Sequence, residues 1–243
     1  MTTLSPDTIF ATLDATWPAA RQISRGGWTL REGKGGGQRV SAATAADTGA
    51  IPDIDEAERG MRDLGQRPLF MIRPSEDTLD EALSERSYEI VDPVVIYAIQ
   101  CSEIAQQFRP TEAIPAWPPL AIQTEIWAEA GIGPARVAIM ERATCPRTSI
   151  LARIGDRPAA TIYVGAEQGV AMLHALETRL ALRRNGAGRR LVQATAQWAL
   201  DLGADWLTLA VVRDNAPANA LYRKLGMAPA TTYHYRRARE GAS

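Results

Sequence analysis

Two cysteines and two histidines in 243 residues leave little material for disulfides or for a metal cage. Cys101 and Cys145 lie far apart and in no paired motif, and two histidines cannot complete a zinc ligand set, so reduced thiols and no metal are expected. Charge of one sign is missing too. Lys plus Arg total 27 against 28 Asp plus Glu, a net charge of -1 that gives no global pull toward nucleic acid or acidic membranes. Any anion site must be local. No run of about 18 apolar residues occurs, and the N-terminal MTTLSPDTIF has no basic segment followed by an apolar stretch and cleavage site. These absences predict a soluble, cytoplasmic protein with no membrane or nucleic-acid partner, a monomer or homodimer. The apolar content of 46% is enough for one large domain or two small ones.

Periodicity supplies the organisation. Leu191, Val192, Thr195, Trp198, Ala199 and Leu202 recur at three- and four-residue steps and end at Gly203, an amphipathic helix with a glycine stop. A strand at 206–212, a helix at 216–225 closed by Gly226 and a strand at 231–237 follow. Upstream, strands at 149–154, 159–164 and 170–178 are separated by turn chemistry, after helices at 119–130 and 135–142. The first half repeats a similar order: a helix over 6–23, strands over 28–32 and 38–44, a helix over 54–64, a strand over 68–72, a helix over 78–85 and a long strand over 88–99. This predicts a weak internal repeat of two halves, 1–109 and 110–243. The stretch Gly-Lys-Gly-Gly-Gly at 33–37 fails the P-loop pattern and is expected as a mobile hairpin tip.

The stretch Leu-Arg-Arg-Asn-Gly-Ala-Gly-Arg-Arg at 182–190 follows a strand and opens a helix, so its backbone N–H groups lie at the positive end of a helix dipole. Gly186 and Gly188 let a ligand approach the backbone, and Arg183, Arg184, Arg189 and Arg190 add charge-assisted donors, which suits a pyrophosphate. The dinucleotide fingerprint fails because Leu191 occupies its third glycine position.

Arg183-x-x-Gly186-x-Gly188 resembles the pyrophosphate-binding motif Gln/Arg-x-x-Gly-x-Gly/Ala of the GNAT superfamily of acyl-CoA-dependent N-acyltransferases. Asn215-Ala-Pro-Ala218-Asn-Ala-Leu221-Tyr222-Arg-Lys-Leu225-Gly226-Met227 is similar to that superfamily's second motif, Asn-x-x-Ala-x-x-Leu-Tyr followed by Gly-Phe. The match spans roughly residues 115–237. It implies an α+β fold, a mixed, mostly antiparallel sheet flanked by helices, here in a tandem arrangement. It also implies acetyl-CoA as co-substrate. Backbone groups of Leu176 and Thr178 would bond the pantetheine arm and acyl carbonyl. Those of Arg184, Asn185, Gly186, Ala187, Gly188 and Arg189, with Arg183, would hold the pyrophosphate, and Asn215 would contact pantetheine. Tyr222 would sit near the CoA sulfur. Leu180 and Met227 depart from the family's usual proline and phenylalanine, and one strand follows the last helix where two are usual.

The chemistry agrees with those roles, since an amine attacking a thioester needs a free lone pair, and the departing thiolate needs a proton. Tyr222, neutral at pH 7, can supply one. For the base, Glu177 and His174 both stand on the strand before the loop, an odd number of residues apart, so regular pleating separates them unless a bulge intervenes. Glu177 is preferred, and His174 reads first as a sheet-bound structural histidine. The expected function is acetyl transfer to a primary amine of a small molecule or peptide by direct attack. The alternatives are a protein that holds acyl-CoA without turnover, and covalent catalysis through Cys145 with His174. Residues 48–58 of the first half carry four acidic side chains and no arginine, so that half is expected not to bind CoA but to wall the acceptor cleft. The long strand at 88–99 is expected to complete or border the sheet of the second half.

Overall fold

The computed structural model describes residues 4–47 and 51–239. In chain order the first elements are α1 (Pro6–Thr16), β1 (Arg21–Arg25), β2 (Trp28–Glu32), β3 (Thr44–Ala45), α2 (Ile54–Asp63), β4 (Leu69–Ile72), α3 (Asp77–Glu85) and β5 (Tyr88–Gln100). There follow α4 (Cys101–Ile104), β6 (Ala113–Ala116), α5 (Ala121–Glu129), α6 (Pro134–Arg142), β7 (Arg147–Ile154), β8 (Arg157–Glu167) and β9 (Val170–Thr178). The last are α7 (Ala187–Asp201), β10 (Trp206–Val212), α8 (Ala216–Lys224) and β11 (Ala228–Ala238).

The chain forms two compact units that do not follow its linear halves. One comprises the residues up to Pro18, Ile96–Ala210 and Pro217–Ala230; the other comprises Ala19–Val95, Val211–Ala216 and the residues from Thr231 on. In the first unit the strand order is β5-β10-β9-β8-β7-β6. β6 through β9 run antiparallel to their neighbours, while β9 and β10 are parallel. α7 packs on β7, β8 and β9, and α1 and α5 pack on β8 and β9. The N-terminal α1 and residues 96–100 thus belong to the same unit as the two motifs.

The second unit holds the three-stranded sheet β1-β2-β3 and the order β4-β11-β5. Its core stacks Trp28, Phe70 and Tyr88 edge to face at centroid separations of 5.1 and 5.5 Å, a geometry favourable by about 0.5–1.5 kcal/mol per pair beyond burial.

Several expected elements change. The helix expected over 6–23 stops at Thr16, because Pro18 biases Trp17 away from helical angles. Residues 21–25 instead form β1, paired with β2 through a tight turn at Gly26 and Gly27, whose φ values of 56° and 81° suit a hairpin. The tight hairpin tip lies there, while 33–37 opens the longer connection between β2 and β3, which also pair antiparallel. The strand expected over 38–44 is a 3-10 turn at Gln38–Val40 with β3 after it. Gly37 at φ 97° turns the chain, and the N–H groups of Ser41 and Ala42 both return to the Gln38 carbonyl at 3.0 and 2.9 Å.

Candidate active site

β9 carries the first part of the site, and its geometry turns on one extra residue. Tyr163 pairs with His174 and Thr161 with Glu177, so Ala175 and Leu176 together oppose Ile162 in a β-bulge. Ala175 takes φ 50°, uncommon for a residue with a Cβ, and the Trp127 indole N–H donates to its carbonyl at 2.8 Å. Since Thr161 and Tyr163 are two residues apart, the bulge puts His174 and Glu177 on one face, against the odd-spacing expectation. Leu176 and Thr178 go to the other face. A Cβ placed on Gly188 of α7 would lie 3.7 Å from Leu176 Cδ2, 4.0 Å from Thr178 Oγ1 and 3.4 Å from Leu221 Cδ2. Glycine at 188 thus leaves a slot lined by two β9 side chains and one from α8.

The parallel ladder of β9 with β10 runs from Val170/Trp206 to Leu173/Leu209, although β9 continues to Thr178. Among the described residues no pairing of β9 with β10 continues beyond Leu173, on the stretch where the expected roles of Leu176 and Thr178 would call for unpaired backbone groups.

The loop from β9 to α7 opens a helix with no side-chain cap. Arg184 and Gly186 adopt φ 65° and 81°, Gly186 is the N-cap of α7, and no side chain caps the helix. The first-turn N–H groups of Ala187, Gly188 and Arg189 therefore lack the acceptor that a Ser, Thr or Asp cap would provide. Arg183, Arg184, Asn185 and Arg189 are exposed. Arg183 Nε donates to the Thr178 carbonyl at 3.3 Å, and the Asn185 amide to the carbonyl of Arg183 at 3.1 Å. Arg190 departs from its expected role, because its guanidinium turns to the Arg153 carbonyl at 2.5 Å and lies over Phe108. Arg179 is likewise engaged, forked onto Glu129 at 2.8 and 3.1 Å. Asn215 stands exposed one residue ahead of α8, its N–H donating to the Val212 carbonyl at 3.0 Å.

Burial raises the pKa of the half-buried Glu177 above the usual carboxylate value, with Arg183 and Arg136 pulling in the opposite direction. Tyr222 is 6% exposed, and burial, reinforced by the charge of Glu177, holds its phenol well above its ordinary value. His174 is 4% exposed, stacked on Trp17 at 4.8 Å and hydrogen-bonded through Nε2 to Thr16 Oγ1 at 2.8 Å. The single Thr16 hydroxyl proton goes to the Thr12 carbonyl at 2.7 Å, so Nε2 is the donor in this pair. That nitrogen has no lone pair to offer a substrate. Thr16 and Trp17 escaped the reading of the sequence, since nothing local to α1 announces a partner on β9.

The thiols are poorly placed for attack. Burial pushes Cys101 up to about 12 and raises Cys145, whose Sγ points at the Ala15 carbonyl at 3.6 Å. Among the described residues no group of three or more His, Cys, Asp or Glu stands together to hold a metal, and no helix is long and apolar enough to cross a membrane.

The profile of the Acetyltransferase (GNAT) family matches residues 109–227. Over 242 aligned residues the chain is 30% identical to YobR of Bacillus subtilis (strain 168), described as an uncharacterized N-acetyltransferase, with 91% of this chain and 94% of that protein covered. The chain belongs to the GNAT family. This GNAT protein is accordingly an acyltransferase, and solved structures share its fold. A GCN5-related N-acetyltransferase from Kribbella flavida is similar with a TM-score of 0.67 at 21% identity, covering 96% of this chain and 95% of its own. A tandem GNAT protein from the clavulanic acid biosynthesis pathway is similar with a TM-score of 0.56 at 13% identity, covering 83% and 76%. The mixed, mostly antiparallel sheet with flanking helices is the GNAT fold.

Proposed function

We propose that this GNAT protein transfers an acetyl group from acetyl-CoA to a primary amine by direct attack. The observation that carries the reading is the bulge at Ala175 and Leu176. It presents Glu177 on one face of β9 and the Leu176, Thr178 and Gly188 slot on the other, beside an uncapped helix start. The N–H groups of Ala187, Gly188 and Arg189, with Arg183, Arg184 and Asn185 around them, suit the pyrophosphate. Backbone groups of Leu176 and Thr178 suit the pantetheine arm, and Asn215 follows from the second motif. Bound there, acetyl-CoA supplies an acyl group activated as a thioester. Glu177, with its raised pKa, is a stronger proton acceptor than an ordinary carboxylate and serves as the base toward the amine. Tyr222 keeps its proton at the phenol oxygen and offers it to the departing sulfur. His174 serves structurally through Thr16.

We read residues 1–109 as a degenerate GNAT-like half and 110–243 as the half that carries the CoA motifs. Support comes from the start of α2, the counterpart of the arginine loop. Its N-cap Asp53 accepts the Asp55 N–H at 2.9 Å, and acidic Asp55 and Glu56 fill the first turn, so an anion would meet a capped helix and negative charge. Residues 48–50 of that loop lie outside the described residues.

The test is thiol release from acetyl-CoA across a panel of small amines and peptides, with product mass. Turnover lost in Glu177→Gln and Tyr222→Phe is the expected result. CoA binding without turnover on any amine would leave a protein that only holds the thioester.

A further inference from the structure

The N-terminal half reaches the neighbourhood of Tyr222 through β5. Residues Ile96–Gln100 of that strand belong to the first unit and run beside β10. Tyr97, 3% exposed, donates its hydroxyl proton to Asn219 Oδ1 at 3.0 Å. Asn219, itself 3% exposed, sits on α8 three residues before Tyr222, hence on the same side of the helix. The rings of Tyr97 and Tyr222 lie 6.1 Å apart with planes inclined at 42°. Two residues further along β5, Ile99 Cδ1 comes within 3.6 Å of where a Cβ on Gly226 would stand, just past the end of α8. The same strand therefore meets α8 near its middle and at its exit. Two such contacts fix both the rotation of a helix about its axis and its slide along it.

We propose that Tyr97 is a positioning residue for Tyr222. Its hydroxyl locks the rotation of α8 through Asn219, and its ring limits the swing of the Tyr222 phenol, so that the phenol proton points at the departing sulfur. This rests on the reading of Tyr222 as proton donor given above. In that step the Tyr222 O–H bond breaks and an S–H bond forms as the C–S bond is lost, with the new C–N bond made by the amine. Tyr97 exchanges no proton. The acid of the reaction is then aimed by a side chain from the half that lacks the CoA motifs.

The experiment is a double-mutant cycle of Tyr97→Phe and Tyr222→Phe on the full chain, with kcat, KM for acetyl-CoA and CoA affinity measured for each. Tyr97→Phe keeps the ring and is expected to lower kcat about tenfold, inside the hundredfold that a 1 Å misplacement can cost. KM for acetyl-CoA and the calorimetric affinity for CoA should stay at the native values. In the Tyr222→Phe background the Tyr97 change should have no further effect on kcat, because the group it aims is gone. Equal loss in both backgrounds, or native kcat in Tyr97→Phe while Tyr222→Phe is impaired, overturns the positioning role alone. Native kcat in Tyr222→Phe instead removes the donor reading on which it stands.

Discussion

Substituting the two glycines of the proposed anion loop separates fold from binding, because the structure gives each a different reason to be glycine. Gly186 is held at φ 81° with no atom within 4 Å of an added Cβ, so alanine there meets only the conformational penalty of the left-handed region. That penalty is about 1–2 kcal/mol. For a chain of this size each kcal/mol moves the melting temperature by about 2–4 °C, so Gly186→Ala should melt roughly 2–8 °C lower. CoA binding should weaken with it, since the left-handed turn aims the first N–H groups of α7. Gly188 is helical, and a Cβ there would meet Leu221, Leu176 and Thr178 at 3.4, 3.7 and 4.0 Å, ordinary contact distances. Gly188→Ala should therefore fold at least as well, gaining up to about 0.5–1 kcal/mol of helix preference. Gly188→Leu must send its remaining carbons into the slot. It should cost no more than about 1–3 kcal/mol of stability while lowering CoA affinity a hundredfold or more, about 2.7 kcal/mol. Differential scanning calorimetry gives the first quantity and titration calorimetry with CoA the second. Native CoA affinity in Gly188→Leu would refute the slot as the cofactor's path, and a native melting point for Gly186→Ala would refute the backbone argument.

Three further outcomes follow from the same geometry. Glu177→Gln should lower kcat by about a hundredfold or more yet raise the melting temperature at pH 8. Its folded pKa is raised, so the ionised native side chain is penalised above that pKa, and the gap should close as acid protonates it; a native protein more stable than the variant at pH 8 would contradict this. The alkaline limb of the rate profile should show no loss up to pH 10, because Tyr222 stays protonated there; a fall beginning near pH 9 would exclude it as donor. A fragment of residues 110–243 lacks α1 and the β5 strand beside β10, so its melt should lose cooperativity and its CoA affinity should collapse, both readable by circular dichroism and titration.

Much of the fold was legible wherever periodicity and punctuation agreed. The strands at 28–32, 170–178 and 206–212 stand where the apolar runs put them. β6 was passed over because Pro115 interrupts a four-residue run, which is tolerable only because β6 is the last strand in the order, where a missing N–H costs no ladder bond. The expected helix overruns the first three residues of β1, because residues 21–25 are mostly exposed and lack an apolar alternation. At the candidate site, the loop and the segment around Tyr222 stand out as sequence patterns because their residues are close in sequence. The pairings of Thr16 with His174 and of Tyr97 with Asn219 were not, since they join residues 158 and 122 positions apart and each partner is ordinary in its own surroundings.

The extra residue at Ala175 acts on β9 as a half-period shift in a wave. Up to His174 the even-numbered residues share the face that meets Thr16 of α1, and from Glu177 on the odd-numbered ones do, so the parity of the strand reverses across the bulge. Deleting Ala175 would leave His174 and Glu177 two positions apart, and so still on one face of a now regular ladder; what it would remove is the left-handed residue and the carbonyl that accepts from the Trp127 indole. The side on which Glu177, the proposed base, stands is thus set by its pairing with Thr161 across the ladder, and the extra residue is what lets an odd spacing from His174 meet that pairing.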